Sequence, residues 1–572
     1  MSVEAASPSA QPIRAPAAGT SFDTEALVRQ VALVIAVALL GIAIALPLGT
    51  LLVRSFLNAD GQFVGLRNYV IYASTPTLVS SLWNSVSIAV ISTLIVVPIA
   101  FGYAYALKRT CMRFKGLLTA VALLPLFAPS LLPAISFVYI FGTQGILKSW
   151  LMGAEVYGPI GILLSQVFYC LPHAMLILTT ALALADARLY EAAETLGASR
   201  WRIFWTVTVP GIKYGLVSAI FVVFTLVITD FGIAKVIGGN FNVLATDAYK
   251  QVIGQQNFEM GAVVGLVLLV PAVVAFTIDR YIQRRQVALL TARAVPLEPK
   301  PRLVADAIAL AFCLLIGGLV VFVLAIAVAA SLITYWPYNL TLTLKWYNFT
   351  EYEPTGFRPY WNSLAMGATA ATLGTAIIFV TAYLIEKSKG GRLLRSLAQL
   401  IAMLPMAVPG LVLGLSYVFF FNNTWNPLVV LYGGLFLLAM NSIAHFYTTA
   451  HITATTALKQ IDGEFEAVSA SLKVPFWRTF ARVTVPISLP AILDIWIYMF
   501  VNALTTVSAV IFIYGSSSKL ASITMVHMED GGATAAAAAL AVLIVVTALA
   551  AKGVHVLLDG LVLSRLQRWR RR

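Results

Sequence analysis

The chain has 572 residues, of which 60% are hydrophobic and only 11% charged, and a formal net charge of +14. Soluble domains are nearer half apolar and a quarter charged, so this composition excludes an ordinary soluble fold and implies an integral membrane protein. Three cysteines, Cys111, Cys170 and Cys313, are scattered without ligand spacing, which excludes a disulfide framework or a zinc site.

In chain order, residues 1–30 are polar and rich in Ala, Pro and Ser, and read as a disordered tail. A spanning helix needs about 20 apolar residues. Twelve runs have that length: 31–53, 83–107, 117–141, 157–183, 212–230, 260–278, 303–333, 361–385, 397–421, 430–456, 487–513 and 533–557. The first is too long for a signal-peptide core and is read as a retained span. Barrel strands would alternate in polarity over about ten residues, whereas these runs are apolar all round. The expectation is an all-α membrane protein of about 12 spans.

With the N-terminus inside, the tails and even-numbered loops, together with Lys213 and Lys552 at the adjoining span ends, hold 30 of the 38 Lys and Arg residues and the odd loops hold 8. The basic runs Lys108–Lys115, Asp279–Arg285 and Arg565–Arg572 all fall on one side, which the positive-inside rule makes cytoplasmic. The charge therefore needs no nucleic acid. It anchors the topology against anionic membrane lipid.

The second half repeats the first. "LWNSVSIAV" at Leu82 pairs with "YWNSLAMGA" at Tyr360, and "LLPLFAPSLLPAISFVYIF" at Leu123 pairs with "AMLPMAVPGLVLGLSYVFF" around Pro405. The stretch from Asp186 to Pro210 matches Asp462 to Pro486 at 9 of 25 positions. Six spans per half return the chain to the same side, so the halves are parallel repeats. The division is a first transmembrane domain at 31–287, a linker at 288–301, a second domain at 302–560 and a basic tail at 561–572.

The most telling repeat is a charged loop between the fourth and fifth spans of each half. Asp186 and Asp462 suit N-caps of a short helix of about ten residues. Gly197 suits a left-handed helix end, and Ser199 can cap the next helix. In the second copy Lys473 stands where Gly197 does, followed by Pro475, which suits a first helical turn. Ala192 and Ala193 make one face small enough for close approach by another protein, with Glu191 and Glu194 beside it.

This pattern, Glu191-Ala192-Ala193, then Gly197, then Val207-x-Val209-Pro210, resembles the EAA loop of ABC importer permeases. The resemblance covers nearly the whole chain, twice. It implies the fold of type I importer permeases, in which the loop is a coupling helix docked on a cytoplasmic ATPase. A periplasmic solute-binding protein is the implied outer partner, and no cofactor is implied. The coupling positions it carries over are Asp186, Glu191, Ala192, Ala193, Gly197 and Pro210, with Asp462, Glu466, Ala467, Lys473 and Pro486 in the second copy. That copy departs from the pattern: Ala467 aligns with the family glutamate, with Glu466 adjacent.

The fused build resembles permeases for ferric iron, thiamine and 2-aminoethylphosphonate. The stretches Val227–Val264 and Leu504–Ser522 look most like those of the 2-aminoethylphosphonate group. A path for that small zwitterion needs hydroxyls and a few charges. Thr229, Asp230, Thr505, Thr506 and Ser508 lie in matching stretches at the ends of the two fifth spans, Asp230 aligning with Thr506. Asp494 is an acid inside the eleventh run, which is a candidate by default. Set against these readings, Asp230 need only meet water at a helix end, and Asp494 need only make a polar contact near the interface. The five histidines form no ligand cluster in the sequence.

Two other classes fit less well. A 12-span secondary transporter shares the parallel 6+6 build, but its spans usually carry ionisable groups and these hardly do. A membrane enzyme would need a nucleophile, metal or paired-carboxylate constellation, and none stands out. No Gly-x-x-x-x-Gly-Lys-[Ser/Thr] phosphate loop occurs, so ATP hydrolysis is assigned to a separate subunit.

Overall fold

The computed structural model describes residues 24–287, 295, 297–388, 391–424, 426–472 and 474–566. Residues 1–23 of the expected tail lie outside these, as do most of the linker, Lys473 and residues 567–572. Thr24 to Gln30, expected in the tail, instead begin the first helix.

In the first half the main helices are α1 (Thr24–Leu40), α2 (Leu46–Arg54), α3 (Pro76–Arg109), α4 (Lys115–Leu123), α5 (Leu131–Phe141), α6 (Pro159–Ala183), α7 (Ala187–Thr195), α8 (Val209–Thr229), α9 (Gly232–Ile237), α10 (Leu244–Tyr249) and α11 (Phe258–Val287). In the second they are α12 (Leu303–Leu332), α13 (Arg358–Lys387), α14 (Arg392–Met403), α15 (Gly410–Phe421), α16 (Leu435–Lys459), α17 (Glu464–Ser471), α18 (Leu489–Thr505), α19 (Ala521–Asp530) and α20 (Thr534–Leu566). The described strands are β1 (Ile333–Tyr335) and β2 (Asn339–Leu342), an antiparallel hairpin after α12.

Among the described residues, eight helices are long and apolar enough to cross a membrane, or eleven if three bent pairs each count as one span. The tenth run, 430–456, holds a helix of 25 residues, α16, that falls short on composition. Its Asn441, Ser442, Thr448 and His451 are buried within the protein, so lipid never meets them.

The third span of each half is broken, not straight, with bends of 101° and 118°. The prolines explain this. Pro125 and Pro405 each start a tight turn after the first helical piece. Ala128 and Val408, which precede Pro129 and Pro409, are pushed into extended geometry, as a residue before proline must be. The fifth spans differ from each other. The first runs without a sharp bend from Arg200 to Thr229, whereas the second bends by 76° at Ser488. Pro490 stands there where the first half has Tyr214, and its missing N–H removes a helical bond.

Each half is a bundle in which the second span packs on the fourth and fifth: α3, α6 and α8 in the first, α13, α16 and α18 in the second. Close approach is set by small residues. A Cβ on Gly215 of α8 would lie 2.3 Å from Ala181 Cβ of α6, so these helices meet almost backbone to backbone.

The first span of each half packs on the opposite half. α1 and α2 lie against α14 and α15, while α12 lies against α4 and α5. One contact is keyed by a proline. Pro47 cannot donate to the carbonyl of Ala43 four residues earlier. The hydroxyl of Tyr417, fully buried on α15, donates to that carbonyl at 2.6 Å.

Candidate coupling surface and solute path

The 21 residues of α8 rise about 31 Å, so its two ends stand at opposite faces. The face with α7 and α17 is called the loop face here, and the other the far face.

At the loop face, Asp186 caps α7 through a bond from the Arg188 backbone N–H, and that bond holds its carboxyl below the usual range. Gly197 has φ +71°. Its N–H donates to Glu194 and that of Ala198 to Ala193, which closes a left-handed cap. Ser199 then accepts from the Arg202 N–H. In the second copy Asp462 accepts from the Glu464 N–H, and Val474 donates to Ser469, the counterpart of the Ala198 bond. Lys473 itself lies outside the described residues. The motif prolines also share one local geometry. Pro210 and Pro486 each follow a π-turn, Phe204–Thr208 and Phe480–Thr484, where the ladder skips a residue and so accommodates the missing N–H.

Glu191 and Ala192 are exposed, and Ala193 is half-buried. The second copy is arranged differently. Ala467 is exposed, but Glu466 is turned inward and pairs with Lys387 Nζ at 3.2 Å. Lys387 ends α13 as Arg109 ends α3, and Arg109 lies over the ring of Tyr190, the counterpart of Glu466. Each loop helix is thus latched to the end of its own second span, by a cation–π contact in one half and an ion pair in the other. Glu466 is thus engaged within its own half, whereas Glu191 is exposed.

The side chains that do face outward were not singled out from sequence. Leu189, Leu196 and Trp201 are exposed in the first copy, and Phe465, Leu472 and Trp477 occupy the same three positions in the second. The same three positions of the two copies thus carry exposed apolar side chains. The one available signal was the alignment itself, since Leu196/Leu472 and Trp201/Trp477 are among its identities.

Gly197→Pro is expected to abolish transport at normal membrane abundance. Proline cannot adopt φ near +71° and removes the N–H that Glu194 receives. Uptake by a Gly197→Pro strain, normalised to immunoblot, checks this, and wild-type uptake would remove the helix end from coupling.

At the far end of the fifth spans, Asp230 accepts from the Ile233 N–H at 2.9 Å and from Gln166 of α6 at 3.2 Å. It therefore fixes the start of α9 and does not simply meet water. Thr506 is its buried counterpart. In that half, Asn441 of α16 pins the following turn by donating to Ala509 at 2.6 Å. Thr229 and Thr505 each bond back to the carbonyl four residues earlier. Ser508 packs where a Cβ on Gly410 would collide with it, and Ser130 does the same to Gly232, so the hydroxyl and the glycine change places between halves. Asp230, Thr229, Thr505, Thr506 and Ser508 thus share the level of the two fifth-span ends. Asp494 does not join them. It aligns with Ser218, twelve residues and about 18 Å of helix before Asp230, and it lies 3.3 Å from His555 of α20.

The two halves touch at this level. Lys235 of α9 pairs with Asp530 of α19 at 2.9 Å, and Tyr249 of α10 stacks on Phe512. Among the described residues no group of three or more His, Cys, Asp or Glu is placed to hold a metal ion.

A family profile described as the binding-protein-dependent transport system inner membrane component matches residues 99–287 and again 378–562. A protein of Haemophilus influenzae provisionally named a ferric transport system permease is 28% identical over 77% of this chain and 71% of its own length. The ferric transport system permease protein of Actinobacillus pleuropneumoniae is 25% identical over 79% of this chain and 66% of its own length. Among solved structures, a bacterial ABC transporter that imports alginate is 16% identical, with a TM-score of 0.35, over 42% of this chain and 88% of its own. With the profile matched once in each half, the chain belongs to the binding-protein-dependent inner membrane components and is an ABC importer permease with both lobes fused in one polypeptide.

Proposed function

We propose that α7 and α17 dock in the two ATPase subunits of the importer, and that the loop face is cytoplasmic with both termini on that side. The observation that carries this reading is the doubled apolar patch, Leu189/Leu196/Trp201 and Phe465/Leu472/Trp477, at one register of two repeated helices. A periplasmic solute-binding protein delivers its cargo to the far face. ATP-driven closure of the ATPase pair draws the two helices together and parts the contacts at Lys235–Asp530 and Tyr249–Phe512. The described chain supplies positioning and a path. ATP hydrolysis belongs to the partner.

The solute we propose is 2-aminoethylphosphonate. Support comes from the stretches Val227–Val264 and Leu504–Ser522, and from the hydroxyls and single acid gathered at the fifth-span ends. Ferric iron is the second reading, favoured by the names of the two relatives, and thiamine the third. Labelled 2-aminoethylphosphonate uptake in a deletion strain and its complement tests this, with unlabelled phosphonates and ferric iron as competitors. Gene-dependent uptake blocked by phosphonates alone is the expected result. Absence of such uptake, with all subunits expressed, removes the phosphonate assignment and leaves the importer reading intact.

A further inference from the structure

A cavity of about 340 Å³ opens at the far face, where α5 of one lobe meets α12 and α20 of the other. Its walls carry Tyr139, Tyr157, Tyr335, Trp336 and Trp346, five aromatic rings within one small opening. Two of the rings are fixed by their own polar ends. The Trp336 indole N–H donates to the Tyr139 carbonyl at 3.1 Å, and that of Trp346 donates to Ile333 at 2.7 Å. One ring already takes a cation, since Lys345 Nζ stands 4.2 Å from the Trp346 centroid.

Glu529, the penultimate residue of α19, accepts a hydrogen bond from Thr534 of the cavity wall, and its charge acts on Tyr139 and Tyr157 of the same wall. Its Oε2 is buried with no hydrogen-bond partner, and among the described residues no Lys or Arg forms an ion pair with it. Lys235 is committed to Asp530, and Lys519 to Glu353. Burial pushes the Glu529 carboxyl up to about 7, opposed by the hydrogen bond from the Thr534 hydroxyl, with the neighbouring Asp530 adding to the rise.

The repeat offers a comparison. The corresponding groove of the other lobe pair is lined by aliphatic, amide and threonine side chains with two phenylalanines, and by Arg54. Its nearby acid stands at a different position: Glu259, which aligns with Ala535, pairs with Arg54 at 2.9 Å, whereas Glu529 aligns with Ile253. One groove holds a matched ion pair. The other has behind its electron-rich rings an acid with no cationic partner among the described residues, and rings of this kind attract cations through their faces.

We propose that this cavity is a binding site for an organic ammonium group, held among Trp336, Trp346 and Tyr139 with its charge answered by Glu529. The same head occurs on amine solutes and on aminophospholipids at the membrane surface. The site is separate from the solute path and stands whichever solute is carried.

The test uses the full-length permease in nanodiscs of phosphatidylglycerol alone, titrated with ethylammonium and tetramethylammonium chloride against sodium chloride of equal ionic strength. Saturable quenching of tryptophan fluorescence is expected with both cations. Glu529→Gln should weaken it at least tenfold, and Ala535→Leu, which fills the cavity without removing a partner, should abolish it. Elution of each variant as wild type on size exclusion guards against misfolding. In discs with added phosphatidylethanolamine, a weakened titration supports the site and assigns it to lipid headgroups. An unchanged titration supports the site and assigns it to free amines. Equal titration of wild type and both variants, or no saturation at all, overturns the proposal.

Discussion

Leu196→Asp is expected to reduce uptake at least tenfold with no change in membrane abundance, and Leu472→Asp to do the same through the other lobe. Leu196 is 86% exposed and Leu472 is 70% exposed, so neither supports the fold of the permease. An exposed leucine that becomes buried in a partner contributes about 1.5–3 kcal/mol, which corresponds to tenfold or more in affinity. Aspartate loses that contribution and adds a charge to be stripped of water. Uptake and permease-stimulated ATP hydrolysis, measured on the same preparations, separate docking from path. Both should fall together. Wild-type uptake in Leu196→Asp would return the exposed patch to solvent and remove the docking reading. Unequal losses in the two variants would measure how far the lobes differ in coupling.

The ion pair behind α17 yields the second large effect. Lys387→Glu should cut uptake at least tenfold, and so should Glu466→Lys, while the double exchange should restore it to within about threefold. The two side chains are 12% and 22% exposed, so a lone charge here is poorly hydrated. Breaking a buried pair in this way costs about 3–5 kcal/mol. Rescue by the double exchange is what a latch within one lobe predicts. Were Glu466 instead a contact to the ATPase, Lys387→Glu would leave that contact wrong and the double exchange would not recover uptake.

The sequence made the repeat, the position of the loop helices and the need for a special residue at Gly197 legible, because each rests on local chemistry. Cap geometry and spacing survive any packing. The facing of side chains did not show. α7 and α17 are short and amphipathic only against a surface that the sequence does not contain, so the acids drew attention and the apolar positions passed unremarked. The pairing of Glu466 was hidden for the same reason: its partner Lys387 lies 79 positions away and belongs to another helix. The breaks at Pro129 and Pro409 were visible as residues but hidden inside runs of full spanning length. α16 is the converse case, since its polar residues lower its apolar score only because neighbouring helices, and not lipid, surround it.

The exchange of first spans between lobes sets the order of assembly. Tyr417 is 374 residues beyond the Ala43 carbonyl that it caps. A ribosome adding about 5–20 residues per second leaves that carbonyl waiting for roughly 20–75 s. During this interval α1 and α2 have entered the bilayer without the lobe they belong against. The nascent first half must therefore be sheltered by the insertion machinery, and a chain stopped between the lobes leaves an orphaned helix pair for quality-control proteases to find.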